Sequence, residues 1–154
     1  MIVSPVDWDD PDAVALRAAQ RVEIEERYGT PDSEPGPAPT AHDITVFFVA
    51  HSDDGEPLGC GGLRQRDDSE AEIKRMFVAP EARGQGVARR LLEALEDAAR
   101  DLGYTVVRLD TGPRQPHAQA LYEATGYAVV PNFNDNPVAT FFGEKRLDRR
   151  PGMA

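Results

Sequence analysis

The sequence predicts an α/β fold, in which a mixed sheet carries helices on both faces. Three observations support this fold class: a run of apolar segments separated by short polar turns, a long amphipathic helix pattern after it, and a strand–helix–strand alternation beyond. Strands joined by short turns pair antiparallel, whereas a strand–helix–strand unit brings parallel strands together. A chain of 154 residues has the size of one ordinary domain, so residues 1–154 are predicted to form a single domain.

The first part of the chain predicts a strand, a helix and a loop. Residues 2–6 are typical of a short strand, and Asp10 before a proline is an N-cap followed by a favourable first helical residue. The helix should run over residues 11–28 and end at Gly29. Four prolines predict a mobile loop over residues 30–43. The helix positions expected to face the core are Val14, Ala18, Val22 and Ile24.

The middle of the chain predicts three consecutive strands. Residues 44–50, 58–64 and 72–78 are rich in apolar residues and are separated by polar turns. The second of these strands contains three glycines, which indicate a bulge or a close approach of another backbone. Alternation fails in the third strand, because Lys74-Arg75 is followed by three apolar residues. One extra residue there, a β-bulge, would place Ile73, Met76 and Val78 on one face.

The last part of the chain predicts two helices and three strands. The clearest helix covers residues 86–102, with Glu96 among the charged residues of its solvent face. A strand over 105–109, a helix over 116–125 and strands over 127–130 and 140–147 follow. The residues on the apolar stripe of the first helix are Val87, Leu91, Leu95, Ala98 and Leu102.

Charge and composition bear on partners and location. The net charge of −10 repels phosphate backbones, which argues against nucleic acid, and it favours a cationic amine, although it equally serves solubility. No apolar run approaches the roughly 20 residues of a membrane span, and the N-terminus lacks a secretory pattern. A cytoplasmic protein without membrane contact is expected. The single cysteine, Cys60, is expected to be a buried apolar residue, and the histidines lack metal-ligand spacing, so no metal is expected.

Residues 83–88 have the features of a phosphate-binding segment. The predicted helix begins here, and a helix N-terminus offers unpaired N–H groups and the positive end of the dipole. Gly84 and Gly86 allow the backbone to approach a phosphate, and Arg83 adds a positively charged guanidinium that can bind two phosphate oxygens at once. The segment lacks the Gly-Lys-Ser/Thr ending of a P-loop, and Arg89 stands where the dinucleotide fingerprint needs a third glycine.

Arg83-x-x-Gly86-x-Ala88 resembles the pyrophosphate signature of the GNAT N-acetyltransferase superfamily, Arg/Gln-x-x-Gly-x-Gly/Ala. A Val-x-Pro strand end precedes it and a long amphipathic helix follows. A second block, from Gln115 through Tyr122 to a Gly-Tyr pair, is similar to the family's Asn-x-x-Ala-x-x-Leu-Tyr-x-x-x-Gly-Phe/Tyr block, with glutamine where asparagine is common. The resemblance covers roughly residues 44–147.

The resemblance implies the GNAT fold, a mostly antiparallel sheet of six to seven strands with a bulge in its central strand. It also implies acetyl-coenzyme A as the co-substrate, with the pantetheine arm paired to backbone groups of Met76 and Val78 that the bulge frees. The residues that it assigns to the cofactor are Met76, Phe77, Val78, Arg83, Gly84, Gln85, Gly86, Val87, Ala88, Gln115 and Tyr122.

Two residues are implied as catalytic. Tyr122 would donate a proton to the departing thiolate, although its ring could instead only pack between helix and sheet. Glu72 is the candidate base, by similarity to the histone-acetylating branch, especially if partial burial raises its pKa. A salt bridge is an equally good interpretation of Glu72, and some relatives use only ordered water. The N–H of Met76 is the expected oxyanion donor.

The expected acceptor is a primary amine of a small molecule, which attacks directly in a ternary complex. Acetylation of protein lysines or N-termini stays open, as does a non-catalytic module that only binds acetyl-coenzyme A. The sequence leaves a homodimer open as well. The residues expected near the acceptor are Glu25, Tyr28, Arg64, Arg75, Phe133 and the segment 132–137.

Overall fold

A computed structural model describes residues 1–29, 40–112, 116–137 and 139–148. In these ranges seven strands form one sheet, flanked by three helices in the predicted order. The strands are β1 Ile2–Val6, β2 Ile44–His51, β3 Pro57–Gln65, β4 Glu70–Val78, β5 Val106–Thr111, β6 Ala128–Val129 and β7 Phe141–Arg146. The helices are α1 Pro11–Tyr28, α2 Val87–Asp101 and α3 Pro116–Ala124, and a short 3-10 turn over Pro80–Ala82 precedes α2.

The sheet has the strand order β1-β2-β3-β4-β5-β7-β6, and β4–β5 is its parallel pair among antiparallel neighbours. This confirms the predicted mixed, mostly antiparallel sheet. The parallel pairing is short, since it begins at Glu70 opposite Val106 and ends at Glu72 opposite Arg108. Both strands continue beyond that point, to Val78 and Thr111. The sheet therefore splits open between β4 and β5.

Helices cover both faces, as predicted. The larger core lies between the sheet and α2 and includes Leu91 and Leu95, and it extends to α3 through Tyr122. The smaller core lies under α1, where Leu16 packs with Phe47. Like β2 and β3, β4 contributes side chains to both cores, so both helical layers hold it in place.

The bounds of α1 are those the sequence predicted. The Asp10 carboxylate accepts hydrogen bonds from the N–H groups of Asp12 and Ala13, at 3.0 and 3.2 Å. At the other end Gly29 adopts a φ of 78°, a left-handed conformation that glycine reaches without strain.

The predicted inner face of α1 is wrong except at Ile24, which is half-buried on the same stripe as Leu16 and Gln20. Val14 and Val22 are 46% and 57% exposed, and the buried residues are Ala13, Leu16 and Gln20. The predicted stripe followed β-branched and alanine residues four apart. The stripe that faces the sheet is instead the neighbouring one. It carries Leu16, the one leucine of the helix, and Gln20, whose side chain donates a hydrogen bond inside the protein.

Two predictions on α2 are also wrong. Glu96 is buried, because the Tyr127 hydroxyl donates to its Oε2 and the Lys145 ammonium donates to its Oε1, both at 2.9 Å. Leu102 is 53% exposed, because the helix ends there and the chain turns away. A carboxylate looks solvent-facing in a helical pattern when its partners come from elements more than 30 residues away.

The predicted bulge in β4 is confirmed. Cys60 pairs with Phe77, and Gly62 pairs with Lys74. The one residue between them on β3, Gly61, therefore opposes two residues of β4, Arg75 and Met76. Arg75 has a φ of 60°, which a non-glycine residue adopts only when its surroundings enforce it. The predicted consequence also holds, since Ile73, Met76 and Val78 all contact the larger core.

Gly59 and Gly61 of β3 provide a matched test of this close packing. A Cβ at Gly59 would lie 2.7 Å from the backbone oxygen of Phe77, which cannot move away, whereas a Cβ at Gly61 would meet the flexible side chain of Met76 at 2.6 Å. We expect Gly59→Ala to lower the free energy of unfolding by about 2 kcal/mol and Gly61→Ala by about 1 kcal/mol or less. Urea denaturation measures both, and the reverse order would contradict the packing described.

Candidate functional site

A cleft of about 90 Å³ opens where β4 and β5 separate. A strand edge that has lost its neighbour presents N–H and C=O groups at strand spacing, so an extended ligand with amide groups can take the neighbour's place. Residues from four elements and one loop line the cleft. They are Gln20, Ile24 and Tyr28 of α1, Ile73 to Met76 of β4, Leu109 to Gly112 on and after β5, Ala118 and Tyr122 of α3, and Asn136 and Ala139.

The predicted phosphate segment is open and has the expected backbone. Gly84 and Gly86 have φ values of 82° and 81°, and no atom lies within 4 Å of a Cβ built on either residue. Gly86 is the N-cap residue of α2, and no side chain caps the N–H groups of the first turn. These N–H groups therefore suit an anion that approaches from solvent.

Arg83 connects the end of β4 to α1. Its Nη2 atom donates to Oε1 of Glu23 at 2.6 Å, and its Nε atom donates to the carbonyl of Val78 at 3.1 Å. The guanidinium also lies 5.9 Å from the ring centroid of Phe77. A phosphate that binds Arg83 must therefore share the guanidinium with Glu23 or displace that carboxylate.

Gln20 connects α1 to the bulge. Its side chain is 8% exposed, and Nε2 donates to the carbonyl oxygen of Met76 at 3.0 Å. The sequence did not predict this residue, because a glutamine inside a helix normally faces water. Its spacing of four residues from Leu16 and from Ile24 was the available signal.

Tyr122 lines the cleft and also packs its ring. Its ring centroid lies 5.9 Å from that of Tyr127 and 6.4 Å from that of Phe141, and the residue is 5% exposed. Burial raises the pKa of Tyr122 well above its ordinary value, and the charge of Asp110 raises it further. The hydroxyl therefore keeps its proton at neutral pH, which a proton donor requires.

Glu72 is fully buried among cations. Its carboxylate lies 3.0 Å from Arg64 Nη2, 3.5 Å from Lys74 Nζ and 3.6 Å from Arg66 Nη1. Burial alone would raise the pKa of Glu72, but the charges of Lys74 and Arg64 and two hydrogen bonds hold it below its ordinary value. This direction is opposite to the one expected for a base, and the salt bridge that the sequence left open is present.

A loop rich in asparagine joins Glu72 to Asp110. The Asn134 amide donates to both carboxylates, at 3.2 Å to Glu72 and 2.5 Å to Asp110. Asn132 and Asn134 each accept, through the side-chain oxygen, the N–H two residues further on, at 3.1 Å in both cases. The alternation of asparagine at 132, 134 and 136 is visible in the sequence, but the sequence does not identify the carboxylates that it reaches.

The remaining predicted residues have varied surroundings. Tyr28 and Arg75 line the cleft, whereas Arg64 pairs with Glu72, and Glu25 is exposed. Phe133 lies under the guanidinium of Arg66, at 4.7 Å from its ring centroid. Gln115 and residues 30–39 lie outside the described residues.

Three other observations complete the description of the site's surroundings. Cys60 is fully buried, and burial raises the pKa of its thiol to about 12, so it is the buried neutral side chain that the sequence predicted. In the described ranges, no group of three or more histidine, cysteine or acidic residues is arranged to hold a metal ion. No helix in those same ranges is both long and apolar enough to cross a membrane.

Comparisons with known proteins agree on one family. The model of the Acetyltransferase (GNAT) family matches residues 12–127. The IAA acetyltransferase of Azospirillum brasilense is 42% identical over 84 residues, which cover 54% of this chain and 55% of that protein, so the chain spans about half of that relative's length.

Solved structures share the fold over nearly the whole chain. A Klebsiella pneumoniae protein, provisionally described as an acyl-CoA N-acyltransferase, superposes with a TM-score of 0.77 and 28% identity, over 96% of this chain and 97% of that one. A GNAT family acetyltransferase from Elizabethkingia anophelis, solved with acetyl-CoA bound, gives a TM-score of 0.68 and 18% identity, over 95% and 97% of the two chains.

Proposed function

Because this chain belongs to the GNAT acetyltransferase family, we propose that it transfers an acetyl group from acetyl-coenzyme A to a primary amine of a small molecule. The observation that carries the proposal is the arrangement of three features along β4. The bulged edge of β4 and the protonated hydroxyl of Tyr122 line the cleft where β4 and β5 separate, and the uncapped start of α2 follows the end of β4.

The donor would bind along β4 and at the start of α2. Its pyrophosphate would accept hydrogen bonds from N–H groups of the glycine segment, with Arg83 as a charged partner. Its pantetheine amides would pair with the edge of β4 that β5 leaves at Glu72. The acetyl-CoA bound to the E. anophelis relative supports this choice of donor. The residues proposed to bind it are Met76, Phe77, Val78, Arg83, Gly84, Gln85, Gly86, Val87, Ala88, Gln115 and Tyr122.

The reaction would proceed by direct attack. The neutral amine nitrogen forms a bond to the thioester carbonyl carbon, and the N–H of Met76 stabilises the negative charge on the carbonyl oxygen. The carbon–sulfur bond then breaks, and the sulfur takes the hydroxyl proton of Tyr122. The proton lost by the amine returns to the tyrosinate through water, which restores the enzyme and leaves an amide and coenzyme A.

The amine arrives as an ammonium and must first lose a proton. Glu72 is a weak acceptor for it, because three cations surround its carboxylate and hold its pKa low. Asp110 lines the cleft, and its charge acts on Tyr122. We assign the proton to Asp110, directly or through water, and we assign Glu72 the role of a buried counter-charge beneath the site.

Glu23→Gln should tighten the binding of acetyl-coenzyme A. The variant frees Arg83 from a partly exposed ion pair worth about 0.2–1 kcal/mol. The dissociation constant of acetyl-coenzyme A should therefore fall by about 1.4-fold to fivefold at low salt. Isothermal titration calorimetry measures the change. Glu26→Gln, an exposed position on the same helix, makes the same change in charge and should have no comparable effect; equal effects of both variants would mean that Arg83 does not contact the phosphates.

A thiol-release assay tests the proposed function. The protein is incubated with acetyl-coenzyme A and a panel of small primary amines, and free coenzyme A and the acetylated product are both quantified. We expect release only when donor and amine are present together, with one acetylated amine formed per coenzyme A. A folded protein that binds acetyl-coenzyme A but releases none with any amine would be a binding module. Peptides with a free lysine or N-terminus form a second panel, and release with these alone would indicate a protein acetyltransferase.

A further inference from the structure

Arg75 places a cation in the cleft that no described residue neutralises. The residue lies in the bulge of β4, is half-buried and lines the cleft. Its guanidinium forms no hydrogen bond or ion pair with any of the described residues. The neighbouring cations differ in this respect, because each of them pairs with a carboxylate. They are Arg64, Arg66, Lys74 and Arg108.

A second arginine increases the positive potential behind Arg75. Arg17 stacks on Trp8, at 3.6 Å from its ring centroid, and its Nη1 atom is buried without a partner among the described residues. Burial lowers the pKa of Arg17, the charge of Asp9 opposes that shift, and the charge of Arg75 adds to it, so the two guanidinium groups lie near enough to repel. Arg75 itself is half-buried and has no carboxylate partner among the described residues, which is unfavourable until an anion arrives.

The opposite wall of the cleft carries the opposite charge. Asp110 lies two residues beyond Arg108, the last residue of β5 that pairs with β4, and it lines the cleft beside Tyr122. The β4 wall is therefore positive at Arg75, and the β5 wall is negative at Asp110. A molecule that fits both walls carries an ammonium and an anionic group.

Arg75 is poorly placed for the phosphates of the donor. It precedes Val78, the last residue of β4, by three positions, which is about 10 Å along a strand. The glycine segment follows the strand end, so the proposed pyrophosphate site is further away still. The Arg75 side chain thus belongs to the part of the cleft where the acetyl group and the acceptor would meet.

We propose that the acceptor is an amine that also carries a carboxylate, an amino acid or a close analogue, whose carboxylate binds Arg75 while its amine lies against Asp110. The proposal rests on the acetyltransferase function above and specifies its substrate class. It also explains why the cleft is cationic on one wall in a chain with a net charge of −10.

Matched acceptors test the proposal. Each set contains an amino acid, its amide and the decarboxylated amine, for example phenylalanine, phenylalaninamide and phenethylamine, with equivalent sets for leucine and glutamate. We expect kcat/KM to be at least about tenfold higher for the best amino acid than for its two partners, since a charged hydrogen bond is worth about 1.5–3 kcal/mol.

Substitution of Arg75 separates recognition from chemistry. Arg75→Gln should raise the KM for that amino acid about tenfold or more. The same variant should leave kcat/KM for the decarboxylated amine and the KM for acetyl-coenzyme A within about twofold. Arg75→Lys should restore part of the lost affinity for the amino acid. Arg146→Gln, on the exposed end of β7, is the control. Melting temperatures establish that each variant is folded.

The outcomes are distinguishable. If the amide and the amine react as well as the acid, or if Arg75→Gln affects all three equally, the substrate class is wrong and the acetyltransferase function stands. If no acceptor in any set releases coenzyme A, both the function and the substrate class are wrong.

Discussion

Tyr122→Phe should reduce kcat for acetyl transfer by about 100-fold to 1,000-fold, while the dissociation constant of acetyl-coenzyme A stays within about twofold. The ring of Tyr122 packs against Tyr127 and Phe141, and phenylalanine keeps those contacts. The substitution therefore removes the hydroxyl and leaves the packing. Without the hydroxyl, the sulfur must leave as a thiolate or take its proton from water. Steady-state thiol release and calorimetric titration with the donor measure the two quantities.

Tyr104→Phe is the matched control for this variant. Tyr104 is 8% exposed in the larger core and does not line the cleft, so its substitution should leave kcat within about twofold. Full activity of Tyr122→Phe would mean that Tyr122 only packs between helix and sheet. If Tyr122→Phe loses both the binding of acetyl-coenzyme A and activity, Tyr122 belongs to the donor-binding site, and its role as a proton donor is not supported.

Glu72→Gln should destabilise the fold by about 3 kcal/mol at neutral pH. The side chain of Glu72 is 1% exposed, and that of Lys74, its neighbour at 3.5 Å, is 4% exposed. A neutral amide removes the negative charge that Lys74 and Arg64 share, and the Lys74 side of this cluster is shielded from water. Urea denaturation of wild type and variant gives the difference. Glu93→Gln, on the exposed face of α2, should change stability by less than about 0.5 kcal/mol.

The contribution of Glu72 to stability should disappear in acid. Its folded-state pKa lies below the ordinary value of 4.5, so the unfolded chain binds the proton first as the pH falls. The contribution is complete above about pH 5, and it is lost as the pH falls through the lower folded-state pKa. Wild type and Glu72→Gln should therefore approach each other in stability as the pH falls below the ordinary value of 4.5. A variant that is as stable as wild type at pH 7 but has lost kcat would instead identify Glu72 as the base.

The sequence predicted those features that depend on neighbours in the chain. Asp10 and Gly29 fix the ends of α1 through local hydrogen bonds and backbone conformation, and both ends were predicted correctly. The bulge was predictable because side chains alternate between the two faces of a regular strand. Lys74-Arg75 breaks that alternation, and one extra residue restores the apolar residues of β4 to their cores. The open backbone of Gly84 and Gly86 also follows from local conformation alone.

Features that depend on distant partners were not predictable. Gln20 and Glu96 look like surface residues until Met76, Tyr127 and Lys145 are placed beside them. The cleft itself arises because the pairing of β4 and β5 stops early, and no local pattern records where a parallel pair ends. The same limit applies to Arg75, whose lack of a side-chain partner among the described residues is a property of the folded cleft.

A crystal structure of the protein with acetyl-coenzyme A bound tests most directly whether β4 and the start of α2 form the donor site. The pyrophosphate should lie within hydrogen-bonding distance of N–H groups in the segment 84–88, and the pantetheine should run beside β4 between Ile73 and Val78. The thioester sulfur should then lie next to the Tyr122 hydroxyl. Acetyl-coenzyme A bound elsewhere, or bound here with its thioester away from Tyr122, would contradict the proposed site and its chemistry.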